Sequence, residues 1–84
     1  MTISELEQSF NKVGLRGVCD PSEMNAEGEV RIVVTDADGH NAVSLRFPFQ
    51  GLDDPGLPEA LIELYFSEMK MRRAKYLVKK GKIK

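Results

Sequence analysis

Cysteine is nearly absent from this chain: Cys19 stands alone among 84 residues. A disulfide framework within one chain is therefore excluded, and a small domain without such staples fits a reducing compartment. Long hydrophobic runs are missing too; none approaches the roughly 20 residues needed to span a bilayer. The opening stretch MTISELEQSF lacks a basic region followed by a hydrophobic core, which argues against a signal peptide. These absences lead to the expectation of a cytoplasmic protein without membrane association.

Chemistry-bearing constellations are equally scarce. There is no Gly-rich phosphate loop and no Cys/His cluster with metal-ligand spacing. Cys19 and His40 are the one thiol–imidazole couple available. A reactive thiol needs an identifiable activating environment, and a lone cysteine is more often a small core residue. Asp36, Asp38 and His40 occupy alternate positions of the segment DADGH. A calcium loop needs more oxygen ligands and a distal bidentate glutamate. Two carboxylates and an imidazole suit at most a weak transition-metal site. Aspartate and glycine are also what a tight hairpin turn prefers, and that is the reading adopted. No catalytic residue, metal ligand or cofactor is expected, and the chain does not read as an enzyme.

What is present describes a small folded protein. With 42% hydrophobic and 30% charged residues, the composition is that of a globular chain rather than a disordered one. Its length suits one domain, residues 1–84, with a core too small to enclose a deep active site easily. The net charge of −1 conceals a segregation. Residues 1–69 carry all thirteen acids and four bases (Lys12, Arg16, Arg31, Arg46), a balance of −9. Residues 70–84 carry eight bases and no acid, a balance of +8. Asymmetry of this kind bears on partners and steering, not on fold.

Thr2 and Ser4 are each followed three residues later by glutamate, so either can form a capping box with Glu5 or Glu7. Ile3, Leu6, Phe10 and Val13 recur at helical spacing, and Gly14 suits the position just past a helix end. A first helix over Ile3–Val13 follows. Leu15–Asp20 reads as an optional short strand, weakened by Gly17. Pro21–Gly28 reads as a loop or a single helical turn. Glu29–Thr35 and Asn41–Phe49 alternate with period two and form a hairpin around DADGH, with Gly39 at positive φ. Pro48 cannot donate to a ladder, which suggests that the second strand frays or lies at an edge. Asp53 or Asp54 can cap a helix begun by Pro55, or the helix can begin at Pro58. No breaker then appears until Gly81. The fold class is α+β in the order α-β-β-α: a short N-terminal helix, an antiparallel hairpin or three-stranded sheet, and a long C-terminal helix packed across it. The basic end, 70–84, is expected to fray past Lys80.

Placing the long helix at 100° per residue separates two apolar stripes. The wide one holds Leu61, Ile62, Tyr65, Phe66, Met69, Tyr76 and Leu77, and is expected to pack on Val30, Ile32, Val34, Val43, Leu45 and Phe47. The second holds Leu57, Leu64, Met71 and Val78, spaced by seven, with Ala60, Ser67 and Ala74 three residues after the first three. That is a heptad seam of large and small residues, the small ones allowing another helix to approach closely. The plain reading is that helix 1 fills this seam. Yet its stripe rises roughly 15 Å from Ile3 to Val13, against roughly 31 Å from Leu57 to Val78. The uncovered part, Leu64, Met71, Ala74 and Val78, is a candidate protein interface. Its occupant is either another protein or a second copy, the latter through antiparallel long helices.

The basic end carries the competing reading. Arg72, Arg73, Lys75, Lys79 and Lys80 are the candidate nucleic-acid contacts, each neutralised phosphate releasing counterions. Tyr76 is the one aromatic within this segment, so a base-stacking platform is not supported. Bases in the last turns also favour the negative end of the helix dipole and keep an acidic body soluble. The acidic body offers a surface that competes for a basic channel on another protein, as small accessory inhibitors of phages and mobile elements do. The expectation is therefore a non-enzymatic binding protein, with a protein partner ahead of nucleic acid.

Overall fold

The computed structural model describes the backbone of residues 1–79 and the side chains of residues 1–76. The order is α1 (Ile3–Asn11), β1 (Leu15–Cys19), β2 (Glu29–Asp36), β3 (Val43–Pro48) and α2 (Leu57–Lys79), with 3-10 turns at Pro21–Glu23 and Phe49–Asp53. The optional first strand is real, so the expected α+β class is realised as α-β-β-β-α. The sheet is antiparallel in the order β1-β2-β3.

Helix α1 begins at the first of the two capping boxes. The Thr2 hydroxyl accepts from the Glu5 amide at 3.1 Å, and the Glu5 carboxylate accepts from the Thr2 amide at 3.0 Å. Two of the donors left over in the first turn are thereby satisfied. The helix stops at Asn11, two residues short of the expected end, and Gly14 turns the chain at φ +77°. Val13 therefore leaves the apolar stripe and is 50% exposed. Leu6 and Phe10 are fully buried, chiefly against β1.

Register follows from the alternation of side chains along each strand. Gly17, Val34 and Val43 share one row of the inner face, and Cys19, Ile32 and Leu45 share the next. The Asp36 carboxylate holds the reversal, accepting the Asp38 and His40 amides at 3.0 and 2.8 Å and the Asn41 side-chain amide at 3.0 Å. Gly39 sits at φ +82° as the turn requires. The second hairpin strand ends at Pro48; Phe49 opens a 3-10 turn and is 42% exposed.

Before α2, the Asp54 carboxylate accepts the Gly56 amide at 2.8 Å. The helix starts at Leu57, with Pro58 tolerated in its first turn. Leu61 and Tyr65 press into the core beside Val30, Ile32, Val34 and Phe47. The wide stripe is not all core, however. Ile62 and Met69 are half-buried, while Phe66 and Tyr76 are 48% and 59% exposed, and the Leu77 side chain lies outside the described residues. Phe66 stands about 100° round the helix from buried Tyr65, at the rim of the stripe, and length explains the exposure of Tyr76. The 23 residues of α2 span roughly 34 Å, whereas the six of β3 span roughly 20 Å. The helix overhangs the sheet, and every described side chain from Lys70 to Tyr76 is exposed.

Candidate interaction surface

Strand β3 is the outer strand of the sheet next to α2. The Phe49 amide donates to the Gly28 carbonyl at 3.0 Å. Antiparallel bonding alternates, so Leu45 and Phe47 also bond toward β2 and the amides of Ser44 and Arg46 face outward. Pro48 falls on that outward side, where its missing N–H costs no ladder bond. The expectation that Pro48 marks an edge is therefore met.

Between this edge and α2 runs an open groove of about 440 Å³, with Val43 and Leu45 on the strand side and Leu64, Ser67 and Met71 on the helix side. Leu45 is half-buried, and Leu64 and Met71 are each 53% exposed. At the far end of the seam, Leu57 packs against the core. Helix α1 lies over β1 and meets α2 less extensively. It leaves Ala60, Leu64, Ser67, Met71 and Ala74 uncovered, all of them exposed. The Val78 side chain lies outside the described residues.

Two hydrogen bonds fix the helix against the approach to β3. The Arg72 guanidinium donates to the Ala42 carbonyl at 2.9 Å and pairs with Glu68 one turn earlier at 3.3 Å. The buried Tyr65 hydroxyl donates to the Asn41 carbonyl at 3.4 Å. Burial raises the pKa of that phenol, so it stays a donor through the neutral range. Sequence reasoning placed Arg72 among the phosphate contacts; two of its N–H groups meet protein acceptors, and the side chain stays 45% exposed. The i, i+4 spacing of Glu68 and Arg72 was the available signal.

Of the remaining nucleic-acid candidates, the two whose side chains are described do not share a face. Arg73 and Lys75 are exposed, but they stand 160° apart around the helix at 100° per residue. Arg73 instead borders an apolar patch made by Phe66 and Met69. The side chain of Lys79, and Lys80 altogether, lie outside the described residues.

Cys19 and His40 lie apart. Cys19 faces Ile32 at one end of the β1–β2 ladder, and His40 sits beyond Asp36, which faces Leu15 at the other. Four residue steps of strand separate these ends, roughly 13 Å. Burial pushes the thiol up to about 11, and the Glu7 carboxylate adds to the effect. In the DADGH turn, Asp36 spends its carboxylate on the turn's own donors. Among the described residues no three His, Cys, Asp or Glu side chains gather as metal ligands, and no helix is long and apolar enough to cross a membrane.

Comparison of the chain with protein-family models, with curated proteins and with solved structures finds no match.

Proposed function

We propose that this chain is a non-enzymatic binding protein working in the cytoplasm through a protein–protein contact on α2, at Leu64, Met71 and Ala74, continued by Val78. One observation carries the reading: Leu64 and Met71, each 53% exposed, border an open groove of mixed apolar and polar lining that also runs along the outward-facing edge of β3. A row of large apolar side chains left uncovered beside a strand edge is costly unless a partner buries it. The acidic body, residues 1–69, suits a competitor for basic surfaces, the mode of small inhibitor proteins.

The test compares wild type with Met71→Glu in pull-downs from the native host. Proteins retained by wild type and lost by the variant support the seam as the contact. Identical retention by the two, with no self-association of wild type, would exclude it. A second reading, nucleic-acid binding by the basic end, has the charge segregation in its favour. Affinity for single- and double-stranded probes at two salt concentrations separates it. Grip through phosphates gives a steep loss of affinity with salt, and no binding at low salt eliminates that reading.

A further inference from the structure

The seam on α2 is complementary to itself. We propose that its occupant is the same seam of a second copy, the two α2 helices running antiparallel about a two-fold axis that passes between Tyr65 and Phe66. This rests on the reading of the seam as a protein contact and names the partner.

The register is fixed by the alternation of large and small residues. With the axis between Tyr65 and Phe66, Leu64 of one copy stands level with Ser67 of the other. In the same register Met71 stands level with Ala60, and Leu57 with Ala74. One operation satisfies all three, each large side chain facing a small one, as antiparallel helices in close contact require. Five of the six, Ala60, Leu64, Ser67, Met71 and Ala74, are exposed and uncovered by their own chain; Leu57 is half-buried against its own core. The groove against β3 has room for an entering leucine, with about 440 Å³ between Leu45, Leu64 and Met71.

Charge supports the same arrangement. The first half of α2 carries Glu59, Glu63 and Glu68 and no base; the described second half carries Lys70, Arg72, Arg73 and Lys75 and no acid. Antiparallel packing sets acidic half against basic half and opposes the two helix dipoles. Along the flank of the seam away from the sheet, Glu63 of each copy comes beside Lys70 of the other. Neither forms an ion pair among the described residues of its own chain. Arg72 ties the second half of α2 to the Ala42 carbonyl, but every side chain from Lys70 to Lys75 is exposed, and helices gain most of their stability from packing an apolar face.

The decisive measurement is sedimentation equilibrium of the full chain over a range of concentrations, with helicity checked by circular dichroism. Wild type is expected to show a monomer–dimer equilibrium. Met71→Glu should weaken it by about tenfold or more, and Ser67→Ala should preserve it. Glu63→Lys should weaken association, and adding Lys70→Glu should restore it. In a Cys19→Ser background, oxidising a mixture of Leu64→Cys and Ser67→Cys chains should give the mixed covalent dimer in preference to either homodimer. Wild type monomeric at every concentration overturns the second copy as occupant. The seam reading itself fails only if the host pull-down is also insensitive to Met71→Glu. A dimer that ignores Met71→Glu, or a charge swap without recovery, overturns the register.

Discussion

The Phe10 ring lies directly over the backbone of Gly17: a Cβ built on Gly17 would come within 2.7 Å of Phe10 Cδ2 and 3.1 Å of Ile32 Cδ1. Gly17 looked like a weakness in β1 on propensity grounds. It is where α1 seats its fully buried aromatic on the strand. Gly17→Ala forces Phe10 and Ile32 to shift in a packed core, and overpacking of this kind costs about 1–3 kcal/mol. Gly51→Ala is the control, since its Cβ would meet Pro48 at an ordinary 3.8 Å. Chemical denaturation should show a clear loss for Gly17→Ala and a change within about 0.5 kcal/mol for Gly51→Ala. Equal effects would contradict the packing seen at Gly17.

Arg31 and Arg46 are direct cross-strand partners on the outer face of the sheet. Like charges placed directly opposite are destabilising. Glu23 relieves Arg31 from one side at 3.5 Å, through an exposed pair that contributes little. Among the described residues Arg46 has no such partner. Arg46→Thr removes the repulsion and places a β-branched residue in the strand, so it should stabilise by roughly 0.5 kcal/mol. Added salt should stabilise wild type more than the variant, because screening removes what the substitution removes. Thermal unfolding at two salt concentrations checks both signs, and a destabilised variant would refute the account.

Strong local signals carried most of the fold into the sequence. The Thr2–Glu5 capping box, the period-two runs on either side of DADGH, and Pro48 at an edge all act within a few residues, so spacing alone reveals them. The overhang of α2 was not legible. Tyr76 repeats at core spacing, but nothing local states that the sheet is too short to reach it. Likewise Arg72 reads as one base among several until the fold brings the Ala42 carbonyl, thirty residues away, within 2.9 Å. Exposure at Leu64 and Met71 could be anticipated from the lengths of two helices. The groove beside β3 could not, because it depends on where three elements meet.

Cys19 should be slow to react in the folded protein. Its thiol is pushed from an ordinary value of 9.0 up to about 11, by burial first and by the Glu7 carboxylate second. The thiolate is the nucleophile, so that rise leaves roughly 100-fold less of it at neutral pH, each pKa unit being a factor of ten. The Cys19 amide also donates to Glu7 at 3.1 Å, which keeps the carboxylate in place. Labelling with a thiol reagent should be slow in buffer and fast in denaturant, and Glu7→Gln should speed the native reaction. Native and denatured rates of similar size would show the thiol to be freely accessible.

Asp36 makes the hairpin turn sensitive to acid. Its carboxylate accepts hydrogen bonds from the His40 amide, the Asn41 side chain and the Asp38 amide. The His40 bond is the largest cause holding its pKa below the ordinary 3.8. Because the folded value is the lower one, the carboxylate contributes stability that is fully present above the unfolded value. That contribution is lost as pH falls through the folded value. Asp36→Asn keeps the shape but removes the charge and its pH dependence. At neutral pH the variant should unfold more easily than wild type. As pH falls below the ordinary carboxylate range the two should converge, because protonation of wild type removes the same charge. Asp38→Asn removes no hydrogen bond of the turn and should stay within about 0.5 kcal/mol of wild type at neutral pH. Denaturation midpoints followed across the acid range decide the matter. A gap between wild type and Asp36→Asn that stayed constant as pH fell would mean that the turn depends on the shape of residue 36 and not on its charge.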